Sequence, residues 1–99
     1  MKIKPGATIA GLDIRMRPVL IAAHNVWQSM NQEVVVTSGL DGEHSPGSLH
    51  YYGLAVDLRT RYFNDSQRGH AGQLLAEKLG TSFTVIDEGN HIHVQYNLR

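Results

Sequence analysis

No cysteine occurs anywhere in the 99 residues, so a chain this short can hold itself together only with one apolar core and no covalent staple. A core of that size has no room to split, and residues 1–99 read as a single domain. The same absence removes disulfide scaffolds, thiolate zinc knuckles and cysteine nucleophiles together. Hydrophobic residues make up 41% of the chain and charged residues 18%, the balance of an ordinary globular domain and not of a disordered one. No apolar run approaches the about 18 residues that a membrane span requires. Nine basic and nine acidic side chains cancel, so no global field draws the chain to nucleic acid or to an anionic membrane, and neither is expected as a partner.

Periodicity divides the chain into a few elements. From Asp13 to Met30 the apolar residues Val19, Ala22, Ala23, Val26 and Met30 recur at helical spacing, with Pro18 in the first turn, which marks an amphipathic helix backed onto a sheet. Trp27 and His24 on this helix read as core or partly buried groups. Residues 33–38, Glu-Val-Val-Val-Thr-Ser, are β-branched and end in Gly39, the pattern of a buried strand. Residues 39–52 are rich in Gly, Ser, Asp and Pro and read as one long loop, a kind of segment that often carries function in small domains. A second strand is expected over 53–59. A second helix, capped near Asn64, Asp65 or Ser66, carries Leu74, Leu75 and Leu79 before Gly80 stops it, with His70 exposed. Strands over 82–87 and 91–96 follow, joined by a tight turn at Glu88-Gly89-Asn90. This order predicts an α+β domain, a small and mainly antiparallel sheet backed by two helices. The first six residues hold two lysines with no apolar stretch of about 7–15 residues behind them, so they do not read as a secretory signal and synthesis in a cytoplasm is expected.

Histidine is the unusual count, six in all, and four of the six fall in two short stretches. His50 stands at the end of the long loop, with Asp57 seven residues on inside an apolar strand. Burying an unpaired carboxylate in a strand is costly; alone, Asp57 is equally read as a turn cap or as a partner for Arg59 or Arg61. His91 and His93 lie two apart on a strand and share one face, while Ile92 and Val94 take the other. With Glu88 just before them they form a cluster of nitrogen and oxygen donors that suits Zn²⁺ where no thiolate exists. His50, Asp57 and one of His91 or His93 would supply the three protein ligands of a catalytic zinc site.

The spacing Ser48-x-His50-x-x-Gly53-x-Ala55-x-Asp57, followed by His91-x-His93 and preceded by Val36-Thr37-Ser38-Gly39, resembles the zinc-dependent D-Ala-D-Ala carboxypeptidase and L-Ala-D-Glu endopeptidase family of peptidoglycan peptidases. Relatives of that family include phage endolysins and, more distantly, the hedgehog signalling domain. The likeness covers residues 33–57 and 85–96. It implies a hedgehog/DD-peptidase-like fold, a Zn²⁺ cofactor, His50 and Asp57 as metal ligands and Glu88 as the acidic general base. Aligning residues 92–96 with the family's terminal strand selects His93 as third ligand and leaves His91 to assist at the transition state. The Glu-x-x-His spacing of other branches selects His91 instead, and the two histidines then exchange roles.

The resemblance further implies a monomeric zinc metallopeptidase, phage-encoded, that hydrolyses amide bonds in peptidoglycan stem peptides, as a carboxypeptidase or as an endolysin-type endopeptidase acting at the cell wall after release. His44, Ser48 and Tyr51 would face the substrate from the loop wall, although packing at the loop base is the competing reading of Tyr51 and its neighbour Tyr52. One departure stands out. Family members commonly carry an arginine shortly after the Ser-Gly turn, and here Leu40-Asp41 occupies its place. Either His44 takes over that electrostatic role, or the substrate differs, or activity is lost. The last outcome defines the alternative expectation, a zinc-bound but non-catalytic binding or phage structural module of the same fold. Arg59, Arg61 and Arg68 remain as a rim that could meet an anionic glycan strand or simply be solvated.

Overall fold

The N–H groups at the start of a helical segment lack partners within it, and a side chain just ahead can satisfy them. In the computed structural model, which describes residues 1–41 and 48–98, the Asp13 carboxylate accepts the Arg15 N–H and caps a 3-10 turn, Ile14–Met16, that leads into helix α1 (Arg17–Ser29). Pro18 lies in the first turn of α1, and Val19, Ala22, Ala23, Val26 and Trp27 form its buried stripe. Helix α2 (Asp65–Leu79) begins with a capping box in which Asn64 and Gln67 exchange side-chain-to-backbone hydrogen bonds. It stops at Gly80, and Ala71 and Leu75 are its buried contacts. No helix among the described residues is long and apolar enough to cross a membrane.

Five strands, β1 (Lys2–Ile3), β2 (Val35–Ser38), β3 (Ala55–Arg59), β4 (Phe83–Asp87) and β5 (His91–Tyr96), form one sheet in the order β1-β2-β3-β5-β4. All neighbours are antiparallel except β1 and β2. The fold is thus α+β, as the periodicity predicts, with the edge strand β1 as an addition. At two residues β1 has no pattern to detect; it is held by bonds from the Lys2 and Lys4 N–H groups to the Val34 and Val36 carbonyls. The long loop also contains order, a 3-10 turn at Leu49–Tyr52.

Pairing decides which face does what. Val56 lies opposite Val94 and Leu58 opposite Ile92, and these four join the buried residues of both helices in one core. Trp27 anchors it, with the Phe63 ring 5.6 Å away and its indole N–H donated to the Tyr62 hydroxyl at 2.8 Å. Because side chains alternate along a strand, the intervening pairs, Asp57 opposite His93 and Arg59 opposite His91, share the other face. Leu58 is fully buried between those two polar positions. Leu58→Ala is expected to lower unfolding stability by about 2–5 kcal/mol, read from urea denaturation.

Candidate metal centre

His50 is held from both ends of its turn. The Ser48 hydroxyl accepts the His50 N–H at 3.3 Å, and Gly53, at φ 70°, closes the turn by donating to the His50 carbonyl. A Cβ on Gly53 would lie 2.8 Å from the Gly11 carbonyl oxygen, so this tight closure needs glycine. The imidazole is 3% exposed, with Nδ1 2.9 Å from the Gly39 carbonyl oxygen. A carbonyl can only accept, so Nδ1 carries the proton and Nε2 points its lone pair inward.

His93 is arranged in the same manner. Its Nε2 lies 2.8 Å from Gln95 Oε1, again an acceptor, so the proton sits there and Nδ1 turns inward. The inward atoms meet: His93 Nδ1 is 3.2 Å from His50 Nε2 and 3.0 Å from Asp57 Oδ1, and His50 Nε2 is 3.4 Å from the same oxygen. Three electron-rich atoms converging in this way require a cation among them, a proton or a metal ion. Without metal the proton takes that place. Burial acts to raise the Asp57 carboxyl, but hydrogen bonds to His50 and His93 and the charges of His50 and His91 outweigh it and hold the group well below the usual carboxylate range. The hydrogen bond to Asp57 in turn lifts the His93 imidazole above its ordinary value, against its burial.

Glu88 and His91 stand beside this triad. His91 Nε2 is 3.4 Å from Glu88 Oε1 and 4.0 Å from Asp57 Oδ1, while its Nδ1 donates to Asn90 Oδ1 at 2.6 Å. Two sets of donors therefore gather within metal-binding reach, His50-Asp57-His93 and Asp57-Glu88-His91, with Asp57 common to both. The first is the more enclosed, and each of its imidazoles is oriented by an outer acceptor, the arrangement typical of metal-ligating histidines. Two imidazoles and a carboxylate fit Zn²⁺, and the triad could hold such an ion.

The structure brings together His50, Asp57, Glu88, His91 and His93 from separate parts of the chain, and gives other expected residues different surroundings. Ser48 caps the turn that carries His50. Tyr51 is 44% exposed, and His44 lies outside the described residues. Asp41, where the peptidases carry arginine, accepts the Thr8 and Gly39 N–H groups at 2.7 and 2.8 Å. It thus fixes Gly39, whose carbonyl orients His50. A Cβ on Gly39 would collide with the Thr8 carbonyl, so Gly39→Ala is expected to cost about 1–3 kcal/mol by overpacking and to weaken metal binding, read from thermal melts with and without Zn²⁺. Gln95 and Asn90 are orienting groups that the sequence reading passed over. Gln95 had a signal, since it follows His91 and His93 on the same strand face.

The match of this chain to known families falls where the geometry points. A family model described as the Hedgehog amino-terminal signalling domain matches residues 12–95, a span that includes every member of both donor sets. The chain belongs to the hedgehog signalling-domain family. It is 35% identical over 81 residues to Indian hedgehog protein of Gallus gallus, covering 80% of this chain and 19% of that protein. With Sonic hedgehog protein of Xenopus laevis it shares 32% identity over 79 residues, 80% of this chain and 18% of the relative. It therefore spans less than a fifth of the length of these relatives. Of the two branches named in the resemblance, the comparisons find the hedgehog one, within the shared hedgehog/DD-peptidase fold. This hedgehog-type domain keeps a His/Asp cluster able to hold a metal, with a carboxylate and a further imidazole next to it.

Proposed function

We propose that this hedgehog-family domain is a zinc-dependent peptidase acting on amide bonds, with peptidoglycan stem peptides as the substrate class implied by the resemblance of its His50-Asp57-His93 motif to wall peptidases. The observation that carries the reading is the Glu88–His91 pair, 3.4 Å apart and adjoining the three-donor cluster. A site that only holds an ion has no need of a half-exposed acid–base pair at its edge. Zn²⁺ held by His50, Asp57 and His93 would supply Lewis-acid polarisation of the scissile carbonyl and a water activated near neutral pH. Glu88, 45% exposed in its side chain, is reachable by solvent and substrate, and its Oε1 takes a proton from water and returns it to the leaving amine. His91, whose Nδ1 donates to Asn90, carries a proton at Nε2 when charged and donates it to developing negative charge on the substrate.

A second reading has its own support. The family is described as a signalling domain, and Asp41 stands where the peptidases carry arginine, which favours a metal-bound binding module without turnover. Zinc content and hydrolysis of purified muropeptides, with and without chelator, separate the two. Stoichiometric zinc with chelator-sensitive cleavage is expected. Zinc without cleavage supports the binding module, and cleavage indifferent to chelator overturns the metal-dependent reading.

A further inference from the structure

Three cationic side chains that no ion pair engages among the described residues meet at one place next to the metal centre. Lys4, Arg59 and Arg61 line an open cavity of ≈ 260 Å³ together with Thr37, Asn90 and His91, and no Asp or Glu lines it among the described residues. Arg15 and Arg68, by contrast, are neutralised: Arg15 pairs with Asp13, and Arg68 with Asp65 and Asp87. The rim expected from Arg59, Arg61 and Arg68 is thus divided, with Arg68 tied down and the other two directed to a common cavity.

The placement is built into the fold. Arg59 faces the same side of the sheet as His91, its direct partner in the β3–β5 register. Between the two arginines Thr60 is buried, donates its hydroxyl to the Gly89 carbonyl at 2.8 Å and its N–H to the Asn90 carbonyl at 3.0 Å. The segment carrying both guanidinium groups is therefore fastened to the turn that carries Glu88 and Asn90. Lys4 joins from the opposite side through its N–H bond to Val36. Like charges gathered in a neutral chain repel one another, and guanidinium groups pair best with planar or tetrahedral oxyanions through forked hydrogen bonds.

We propose that this cavity is an oxyanion subsite of the metal centre, with Arg59, Arg61 and Lys4 holding a carboxylate or phosphoryl group of the bound ligand. Asn90 adds a neutral amide to the lining, and Thr37, whose hydroxyl donates to the Asp57 carbonyl, forms part of the wall. His91 is the common wall, lining the cavity and lying 3.4 Å from Glu88, so one ligand can fill both. That bridging rests on the peptidase reading above, whereas anion binding in the cavity does not. The site therefore selects for a negatively charged group beside the amide that is cut.

The full chain, ¹⁵N-labelled and zinc-loaded, is titrated with inorganic phosphate and separately with acetate while backbone amides are followed by NMR. Saturable shifts are expected at Arg59, Arg61, Asn90 and His91, with affinity at least about tenfold weaker in the Arg59→Gln/Arg61→Gln double variant and zinc stoichiometry retained. Tighter phosphate binding identifies a phosphoryl group as the natural occupant, and comparable or tighter acetate binding a carboxylate. Repeating the titration after zinc removal separates the cavity from anions bound to the metal: the shifts persist if the subsite is real. Shifts that vanish with the zinc, that fail to saturate, or that keep wild-type affinity in the double variant overturn the proposal. Muropeptide cleavage is scored independently, so its absence with anion binding intact removes the peptidase reading alone.

Discussion

Asp57→Asn will leave the chain folded and deprive it of zinc. The asparagine has the same shape, so the sheet and the pairing of Asp57 with His93 suffer no change of volume. Its amide N–H₂ can donate to the inward His50 and His93 nitrogens, which lie within 3.4 Å of the present oxygen. A neutral donor thereby takes over from the cation, and the group that drew the metal becomes its competitor. The fall in zinc affinity should exceed the about 10–100-fold loss typical of removing an outer orienting group. Gln95→Ala is the internal measure of that smaller effect, because it frees His93 Nε2 without touching a donor. Competition with a chromophoric chelator gives both numbers, and an Asp57→Asn affinity equal to wild type would remove the triad as the metal site.

Proton competition predicts the pH course of the same binding. His93 titrates above its ordinary value of about 6.5 in the metal-free chain, and it must give up its inward proton for a metal ion to bind. Zinc affinity therefore rises with pH through the His93 titration. In the metal-free protein the sign is opposite. The raised imidazole contributes stability that is fully present below about 6.5 and is lost as pH rises past its folded value. The gain in melting temperature on adding zinc should accordingly grow from pH 6 to pH 8, by mass action on the native state.

How far these residues could be read from the sequence depended on the range over which their signals act. The α1 stripe from Val19 to Val26 and the alternation of His91 to Tyr96 are local patterns, and both elements form. Asp57 was ambiguous because its partner is 36 residues away: only the β3–β5 register decides between a turn cap and a metal-site carboxylate, and spacing along the chain does not encode register without a turn to fix it. Ser48, which the resemblance places toward the substrate, also stands two residues before His50, the ordinary position of a cap, and its hydroxyl accepts the His50 N–H. The Leu40-Asp41 departure from the peptidase pattern looked like the loss of a function. In the fold Asp41 has a task of its own, holding the Gly39 turn by two backbone bonds. Arg59 and Arg61 are legible as a cationic rim, but that Lys4 joins them is not, since the chain around β1 comes to that end of β3 and β5, across β2, only in the finished sheet.

Glu88→Gln carries the decision between enzyme and binding module. Glutamine keeps the volume and the hydrogen-bonding reach of Glu88 but cannot accept and return a proton at neutral pH. If Glu88 serves as general base, turnover on muropeptides falls by about 10²–10⁴-fold while substrate affinity changes little. The fold should not register the change, because the side chain is 45% exposed and its ion-pair contacts are to His91 and, at 4.0 Å, to His93. Zinc content has a more specific meaning. Retention of one zinc at wild-type affinity assigns the ion to His50, Asp57 and His93 and leaves Glu88 free for proton transfer. Loss of zinc on this single change would move the ion to Asp57, Glu88 and His91, the second set of donors. His93 would then be the outer group and His91 the ligand, the exchange of roles that the Glu-x-x-His spacing allows. His91→Gln distinguishes the cases again: with the ion in the first set it lowers turnover and spares the metal, and with the ion in the second it releases the metal. A binding module is recognised by its indifference to both substitutions, keeping zinc and partner affinity where an enzyme would lose its rate.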